Sequence, residues 1–570
     1  MSKPLTYFIC LYFFMSCCSS NPSCCQFNQN AQPLAGKSTQ DLPLNNPACS
    51  SKNNIDPPYY HVAIIGAGAI GCAIARELSK FNILTLVLEK SDDVSQGASK
   101  SNSGIIHGGF DDKPGSLKAK VSHKGNLMWP LLNEQLNFGF KMVGSFVLAF
   151  NSEDERILEE LLKRGIQNEV AGLEIWSRER VLKVEPHVNP KITSALYCPT
   201  AGIASPYEYV IALAENAVTN GVHFKLSHEV TDIQQVSNDT SQTDINSSTG
   251  THFLVRTLKD SDSFRAKIVI NAAGLMADRV AAMVGANDFH ITPRKGEYII
   301  LNRTQGRMVS SVLFPIPDKK GKGILVSPTY HGNLLLGPTS RGTGDFNLTQ
   351  RQVLELIITS AKRSVPDFDP SEAITSYTGL RSKCSRGDFI IEESVCQGFI
   401  NVAGIDSPGL TSSPAVAELV RDIVKGSIKR LYNIEMTAKE SFNPYRAAII
   451  IPKTKDFDGE IDHPDPKKNI ICRCERVTEY EIVDSIHRPL GGHNTDSIKR
   501  RTRAGMGLCQ GNFCEGRVAK LVSRELAIPL DKVQRHTAGS SILPHRRVTD
   551  SDRQLLEELA HSKTTNSSKL

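Results

Sequence analysis

The feature that most constrains the fold is a glycine-rich turn set between two apolar runs. Residues 62–65 form a short, fully apolar run of the kind found in buried parallel strands. The turn Gly66-x-Gly68-x-x-Gly71 follows and opens a segment with helical periodicity, and a second apolar run at residues 84–88 ends in Glu89. This order predicts a strand–turn–helix–strand unit of a parallel α/β sheet.

Each part of such a unit has a role in binding a dinucleotide. Gly66 permits the tight turn, Gly68 lets a pyrophosphate approach the backbone, and Gly71 lets the helix pack closely on the strand. The free N–H groups at the helix start attract phosphate, and Glu89 can accept hydrogen bonds from ribose hydroxyls. The pattern predicts dinucleotide binding but does not by itself separate FAD from NAD.

Length and charge exclude several other classes. The chain has 570 residues, enough for roughly three to four domains of ~150 residues each. The net charge of +6 is modest, and the basic residues are spread out apart from residues 498–503, so we expect no nucleic-acid partner. No apolar run reaches the ~20 residues that a membrane span needs, although peripheral association with a membrane stays possible.

The first 58 residues differ from the rest of the chain. A short apolar centre after Lys3 resembles a secretory signal, and the polar segment up to residue 58 is expected to be disordered. The cysteines beyond it are scattered rather than paired like a disulfide framework, which favours a reducing compartment, mitochondrial or cytoplasmic, over secretion. A signal, an import sequence and an unprocessed start all remain open.

Several motifs beyond Glu89 occur in one order, and together they carry a resemblance. They are "SNSGIIHGGFDDKPGSLKAK", "GIASPYEYVIALAENAVTNGVHF", "VINAAGLMADRVAAMVG", "PRKGEYIIL", "SYTGLRSKCSRGDFIIE" and "INVAGIDSPGLTSSPAVAELV". This set resembles the FAD-dependent oxidoreductases related to D-amino-acid oxidase. It is most similar to the glycerol-3-phosphate oxidases and dehydrogenases, and next to the L-2-hydroxyglutarate oxidases. The resemblance covers roughly residues 60–445.

The resemblance implies an α/β fold in which a Rossmann-like FAD-binding domain is interleaved with a mixed-sheet substrate domain, within residues 59–445. It also implies FAD contacts from a set of turns and strand ends. Those residues are Gly66, Ala67, Gly68, Ala69, Ile70, Gly71, Glu89, Lys90, Ser99, Asn102, Ser103, Gly104, Val230, Ala273, Gly274, Ser407, Gly409, Leu410 and Thr411. Residues 407–411 also open a helical segment, whose N-terminus would stabilise negative charge on a reduced flavin.

The same resemblance implies catalytic roles for four residues. His107 is the expected base that takes the substrate hydroxyl proton, because a neutral imidazole is available near pH 7. Arg381 is the expected clamp on an anionic substrate group. Lys295 is expected near the flavin N5 edge, and Ser103 at the flavin or substrate. A structural histidine, a surface ion pair, a solvated lysine and an ordinary turn serine are the respective alternatives.

Four cysteines near the end of the chain predict a metal site. Cys472, Cys474, Cys509 and Cys514 form two tight pairs, and their spacing is unlike the usual C-x2-C pairs of zinc sites. Residues 470–525 resemble the [2Fe–2S] domain of bacterioferritin-associated ferredoxins, with "GMGLCQGNFC" as the most specific part. Zinc, two disulfides and a vestigial site stay open. The neighbouring basic cluster at 498–503 is expected to be a solvated face.

The predicted organisation is therefore a leader at 1–58, the flavin region at 59–445, a linker at 446–469, a small helical iron–sulfur module at 470–525 and a tail at 526–570. The expected reaction is oxidation of a small anionic hydroxy compound, foremost sn-glycerol 3-phosphate, with electrons passing to oxygen, a quinone or a redox partner. L-2-hydroxyglutarate or an amino acid is the alternative substrate. A non-catalytic electron-transfer or iron-handling flavoprotein is the alternative from another class.

Overall fold

The computed structural model describes residues 57–237, 251–259, 262–317, 323–344, 348–537 and 539–542. The expectations for residues 1–56, for most of the polar insert at 236–250 and for the tail beyond residue 542 lie outside these ranges. The strands are β1 (Tyr59–Ile65), β2 (Thr85–Leu88), β3 (Ile105–Ile106), β4 (Phe140–Met142), β5 (Ser145–Ala149), β6 (Glu174–Ser177), β7 (Ser194–Cys198), β8 (Gly202–Ala204), β9 (His223–Lys225), β10 (Val230–Val236), β11 (His252–Thr257), β12 (Ser263–Asn271), β13 (Ile291–Leu301), β14 (Val312–Pro315), β15 (Leu325–Pro328), β16 (Leu334–Gly337), β17 (Arg341–Gly342), β18 (Ala373–Cys384), β19 (Ile390–Glu393), β20 (Phe399–Ala403), β21 (Ile470–Cys472) and β22 (Val477–Thr478).

The helices alternate with these strands in the first half of the chain and dominate its end. They are α1 (Ala69–Leu78), α2 (Leu117–Leu136), α3 (Ser152–Gln167), α4 (Arg178–Val184), α5 (Pro206–Thr219), α6 (Ala277–Ala282), α7 (Gln350–Ser364), α8 (Gly409–Tyr432), α9 (Glu479–His487), α10 (Thr495–Thr502) and α11 (Glu515–Glu525). None of the helices within the described ranges is long and apolar enough to cross a membrane.

The first sheet is the nucleotide-binding sheet. Its order is β10-β11-β12-β1-β2-β9, with β20 beside β12 and β19 beside β20. Strands β20, β12, β1, β2 and β9 run parallel. Alternate residues of β1 feed two cores: Val62 and Ile64 pack with α1, α5 and α8, and Ala63 and Ile65 pack with α6 on the other face. A sheet buried on both faces explains the continuous apolar runs in the sequence.

The second sheet is larger and mixed. Its order is β17-β13-β16-β15-β14-β5-β7-β6, with the long strand β18 paired to β13. Its pairs are antiparallel except for β14 with β5. The strands of the two sheets alternate along the chain, so the predicted α/β fold with an interleaved mixed-sheet domain is confirmed.

The C-terminal module has a small hydrophobic core of its own. The hairpin β21–β22 and helices α9, α10 and α11 enclose a short set of buried residues, among them Ile482, Ile498 and Val522. Capping boxes begin two of its helices, at Thr478 for α9 and Asn494 for α10. The linker before it is packed rather than free, because the side chain of Arg446 is only 7% exposed and donates to Glu215 of α5.

The basic cluster at the end of α10 corrects an expectation from the sequence. Arg500 and Arg501 are 3% and 1% exposed, so they do not form a solvated face. Both bind the buried carboxylate of Asp93, which follows β2: Arg500 Nη2 and Arg501 Nη1 each lie 2.7 Å from Asp93 Oδ2. A buried carboxylate between two guanidinium groups needs no solvent to balance its charge. These pairs fasten the module to the flavin region.

Candidate active site and iron–sulfur site

One cavity of about 1430 Å³ lies between the two sheets. One wall is formed by the turns that follow parallel strands: Gly66 and Gly68 after β1, Glu89 after β2, Ala273 after β12 and Gly409 beyond β20. The opposite wall comes from β13 and β18 of the mixed sheet. Ligands of open α/β sheets bind at the carboxyl ends of the strands, which is where this cavity lies.

The nucleotide end of the cavity is built mainly from backbone. Gly66 has φ +104°, and a Cβ there would lie 2.5 Å from the carbonyl oxygen of Ala272. Both oxygens of Glu89 are already oriented: Oε2 accepts from Ala67 N at 2.8 Å and Oε1 accepts from Ser91 N at 2.9 Å. Each oxygen keeps a second lone pair for a ribose hydroxyl. These groups fit the adenosine half of a dinucleotide.

Most of the predicted cofactor residues line the cavity. They are Gly66, Gly68, Ala69, Ile70, Glu89, Lys90, Ser99, Asn102, Ser103, Val230, Ala273, Gly274, Ser407, Gly409 and Leu410. Ala67, Gly71, Gly104 and Thr411 are not in the lining. Gly71 instead lets α1 pack on the turn, since a Cβ there would lie 1.9 Å from Gly66 O. Thr411 is fully buried behind the cavity wall and does not face the cavity.

His107 lies at the substrate end of the cavity, directly after β3. It is 9% exposed, and its ring centroid lies 5.8 Å from that of Phe314. Two bonds fix its backbone: its N–H donates to Thr411 Oγ1 at 2.9 Å, and its carbonyl oxygen accepts from Asn126 Nδ2 at 2.9 Å. The expected base is therefore tied directly to the first turn of α8.

The N-terminus of α8 forms the floor beside His107. Ser407, Pro408, Gly409 and Leu410 line the cavity, and α8 extends for 24 residues behind them. The first N–H groups of a helix have no intrahelical partners and carry partial positive charge. The N-terminus of α8 thus offers positive potential to the cavity, and its predicted effect on a reduced flavin stays a prediction.

Two arginines face each other on the mixed-sheet wall. Arg294 of β13 and Arg381 of β18 are register partners, and both line the cavity. Arg381 is oriented by Thr339, whose carbonyl oxygen accepts from Nη1 and Nη2 at 3.2 Å each. Arg294 donates to Ser340 O at 3.0 Å, and its buried Nε has no hydrogen-bond partner among the described residues. The pair can hold an anion of two charges.

Arg294 was missed in the sequence, where its neighbour Lys295 was singled out for a different role, near the flavin N5 edge. Lys295 is not among the residues that line the cavity, whereas Arg294 and Tyr298 of the same strand are. The reason is the two-residue period of a β-strand, which sends neighbouring side chains to opposite faces. The sequence "PRKGEY" could have indicated this, because Arg294, Gly296 and Tyr298 are two residues apart and therefore share one face of a strand. The role near the flavin N5 edge that the sequence predicts for Lys295 stays a prediction.

The four cysteines are arranged as two pairs. Side-chain hydrogen bonding couples the pKa of Cys472 to Cys514 and that of Cys509 to Cys474. The bond from Cys514 lowers the pKa of Cys472 to about 6, and the same bond raises the pKa of Cys514. Backbone donation from Phe513 is the main cause of a lowered pKa at Cys509, whereas at Cys474 a backbone hydrogen bond from Cys509 lowers the pKa but burial and the Cys509 thiol outweigh it and raise the pKa. Thiolates are the metal-binding form of cysteine, so metal binding must displace a proton from each pair.

The four cysteines suit a two-iron cluster. A [2Fe–2S] cluster takes four thiolates, two on each iron, which matches two separate pairs. Gly507 packs against this site, since a Cβ there would lie 2.2 Å from Cys474 Cβ.

Fold, cavity and cysteine pairs together define a flavin-type oxidoreductase joined to an iron–sulfur module. Residues 61–423 match the family described as FAD dependent oxidoreductase, and residues 470–524 match the BFD-like [2Fe-2S] binding domain. The chain belongs to the FAD dependent oxidoreductase family. It carries FAD and, in its C-terminal domain, a [2Fe–2S] cluster, so both cofactor predictions are confirmed.

Three similar proteins illustrate the relationship. The chain is 46% identical over 490 residues to the glycerol 3-phosphate dehydrogenase of Caloramator mitchellensis, covering 85% of this chain and 98% of that protein. It is 26% identical over 454 residues to the mitochondrial L-2-hydroxyglutarate dehydrogenase of Bos taurus, with coverage of 71% and 95%. The structure of dithionite-reduced L-alpha-glycerophosphate oxidase from Mycoplasma pneumoniae with FAD bound superimposes with a TM-score of 0.61 at 32% identity, covering 68% and 98%.

Proposed function

We propose that this protein oxidises sn-glycerol 3-phosphate to dihydroxyacetone phosphate with FAD as the hydride acceptor. The observation that carries the proposal is the meeting of His107 with the register pair Arg294 and Arg381 in one cavity. A phosphate ester carries close to two negative charges at neutral pH, and two guanidinium groups match that charge. The 46% identical glycerol 3-phosphate dehydrogenase supports the same substrate.

The roles of the residues follow from their positions. When bound, FAD supplies a hydride acceptor at N5. Arg381 and Arg294 bind the substrate phosphate, and His107 accepts the proton of the hydroxyl whose carbon loses the hydride. Thr411 holds the His107 backbone against α8, so base and helix terminus keep a fixed relation. Ser103, which lines the cavity, is positioned to contact flavin or substrate.

The proposal extends to the fate of the electrons. Substrate oxidation releases two electrons together, whereas a [2Fe–2S] cluster carries one at a time. The cluster would therefore pass electrons singly to a quinone or a redox partner, with oxygen as the competing acceptor. Cys474 is exposed and Cys509 half-buried, which supports access of an acceptor to this end of the module.

The substrate is tested by anaerobic mixing of the FAD-loaded protein with sn-glycerol 3-phosphate or with L-2-hydroxyglutarate. The visible flavin bands should bleach fastest with glycerol 3-phosphate. Bleaching by L-2-hydroxyglutarate alone would assign the cavity to the 2-hydroxy acids. If glycerol 3-phosphate, L-2-hydroxyglutarate and amino acids all fail to bleach the flavin, a non-catalytic electron-transfer or iron-handling flavoprotein would be favoured.

We further propose that the protein works in a reducing compartment, mitochondrial or cytoplasmic. The eight cysteines in the described ranges are free thiols, and iron–sulfur thiolates require protection from oxidation. Fractionation of cells that produce the full chain tests this. Recovery of the protein in the secreted fraction would contradict the proposal.

A further inference from the structure

The flavin cavity and the cysteine site are connected by a row of packed tyrosines. Tyr298 of β13 lines the cavity and is only 4% exposed. Its ring stacks on that of Tyr377, its register partner on β18, with centroids 4.6 Å apart and an interplanar angle of 11°. The stack therefore begins at the cavity wall and leads away from it through the sheet edge.

Tyr377 is anchored to the loop that is expected to contact the flavin. Its hydroxyl donates to the carbonyl oxygen of Asn102 at 2.7 Å. Burial raises the pKa of Tyr377, and the neighbouring phenols of Tyr298 and Tyr207 raise it further. Tyr207, in the first turn of α5, is the next tyrosine in the series, because α5 and β18 both pack on the turn at residues 97–99. Both phenols stay neutral at physiological pH, so neither exchanges a proton.

Tyr207 reaches across to the iron–sulfur module. Its hydroxyl lies 3.3 Å from Met506 Sδ and accepts from Arg503 Nη1 at 3.2 Å. Arg503 Nε donates in turn to Glu475 Oε2 at 2.7 Å, and Glu475 directly follows the ligand Cys474. Met506 precedes Gly507, which packs on Cys474. The steps from cavity to cysteine pair are a ring stack, the packing of β18 and α5 on the turn at residues 97–99, hydrogen bonds and a short stretch of chain.

We infer that Tyr298, Tyr377 and Tyr207, together with Met506, form the bridge that couples the flavin cavity to the [2Fe–2S] site for single-electron transfer. The inference rests on the proposed function. In each transfer the reduced flavin loses one electron and one ferric iron of the cluster becomes ferrous. The phenols are not oxidised or reduced. Their packed side chains fill the space between the two sites and so shorten the through-space gap across which the electron must tunnel.

The bridge is distinct from the ion pairs that fasten the module. Asp93, Arg500 and Arg501 hold α10 to the loop after β2, and none of them is stacked on the tyrosines. Rings and attachment can therefore be altered separately. The matched substitutions are Tyr377→Leu and Tyr377→Phe, because leucine removes the ring whereas phenylalanine keeps it and loses only the bond to Asn102.

The test follows both cofactors after anaerobic mixing of the full-length holoenzyme with sn-glycerol 3-phosphate. Flavin bleaching and the electron paramagnetic resonance signal of the reduced cluster are timed separately by rapid freezing. We expect Tyr377→Leu and Tyr207→Leu to leave flavin bleaching unchanged and to slow cluster reduction by about ten-fold or more, which corresponds to ~1.4 kcal/mol of activation free energy. Tyr377→Phe should stay close to the unaltered protein.

Tyr432→Leu is the control, because Tyr432 is a half-buried tyrosine on α8 that bonds the carbonyl oxygens of Thr251 and Lys267, away from the row. FAD content, iron content and the resting cluster spectrum are measured for every variant to show that both sites remain loaded. Equal rates of cluster reduction in the leucine variants and the control would overturn the bridge. Bleaching without any cluster reduction in the unaltered protein would instead overturn the electron route of the proposed function.

Discussion

The lining of the flavin cavity comes from residues 65 to 410, whereas the four cysteines of the predicted cluster site lie between residues 472 and 514. The cavity of the flavin region is walled largely by strand ends, turns and helix N-termini, supported by two extensive cores. The iron–sulfur module depends on four side chains, a small core and arginines paired to a carboxylate of the flavin region. Cofactor binding is thus distributed in one region and concentrated in the other.

This difference predicts which substitutions each region should tolerate. In the flavin region a single side chain can be essential for chemistry while contributing little to holding FAD. In the module, loss of a single side chain can release the cluster or detach the module from the flavin region. Substitutions in the two regions should therefore differ in size and kind of effect.

His107→Asn should separate chemistry from cofactor binding most clearly. Removal of the base is expected to slow flavin reduction by glycerol 3-phosphate by about 100- to 10,000-fold, which is the usual contribution of a positioned general base. FAD content should not change, because the ring of His107 lies at the substrate end. Anaerobic stopped-flow absorbance gives the rate. A rate within a few-fold of the unaltered protein would remove His107 from the mechanism.

Asp93→Asn should damage the module and spare the flavin region. It removes the carboxylate that pairs with buried Arg501 and leaves Arg500 paired with Asp496, at a cost of about 3–5 kcal/mol to the docked module. We expect loss of protease resistance and of iron in the module, with FAD retained. The control is Asp92→Asn, because Asp92 bonds Asn494 but neither arginine directly. Equal behaviour of the two variants would show that the buried pairs do not fasten the module.

The same pairs predict how docking depends on pH. Burial opposes ionisation of Asp93, but Arg501 and Arg500 outweigh it and lower its pKa below the usual value. A lowered pKa in the folded state contributes stability that is complete above the unfolded value of about 3.9 and is lost as pH falls below it. Protease resistance of the module should therefore hold from pH 7 to about pH 4 and then decline. A loss centred near pH 6 would contradict this assignment.

Arg381→Met and Arg294→Met test the anion site. Loss of charge-assisted hydrogen bonds costs about 1.5–3 kcal/mol each, equal to roughly 10- to 100-fold in substrate affinity. We expect the larger effect at Arg381, which Thr339 orients, and a smaller effect at Arg294. The readout is the substrate concentration that gives half-maximal bleaching. An unchanged value for Arg294→Met would leave Arg381 as the sole clamp.

Lys295→Met should have the smallest effect. Because Lys295 is outside the cavity lining, flavin reduction is expected to stay within about two-fold of the unaltered rate, a change below 0.5 kcal/mol. Reoxidation of the reduced protein by oxygen should be equally unaffected. A marked slowing of that oxygen reaction alone would restore the role near N5 that the sequence suggested.

The sequence predicted best where function is local. The turn at Gly66, the acid at Glu89 and the four cysteines are each read from short stretches, and the cofactors that they imply are confirmed. It was less informative where the placement of a side chain depends on strand register or on long-range contacts. Arg294 and Lys295 are neighbours in sequence but face opposite sides of β13. The sequence predicts Arg500 to be a surface cation, whereas in the structure it is buried against Asp93.

The row from Tyr298 to Tyr207 was equally invisible, because it joins residues of β13, β18 and α5 that no sequence spacing relates. Such contacts are fixed by the pairing of strands and the packing of layers rather than by local propensity. The sequence also gave no sign that Thr411 bonds the backbone of His107, although both residues were singled out separately.

The measurement that tests the central claim most directly uses glycerol 3-phosphate that carries deuterium on C2. The FAD-loaded protein is mixed anaerobically with labelled or unlabelled substrate, and flavin bleaching is followed in a single turnover. Because the hydride leaves C2 while His107 takes the hydroxyl proton, the label should slow bleaching several-fold in the unaltered protein. Bleaching that is insensitive to the label at saturating substrate, or absent with either form, would contradict the account.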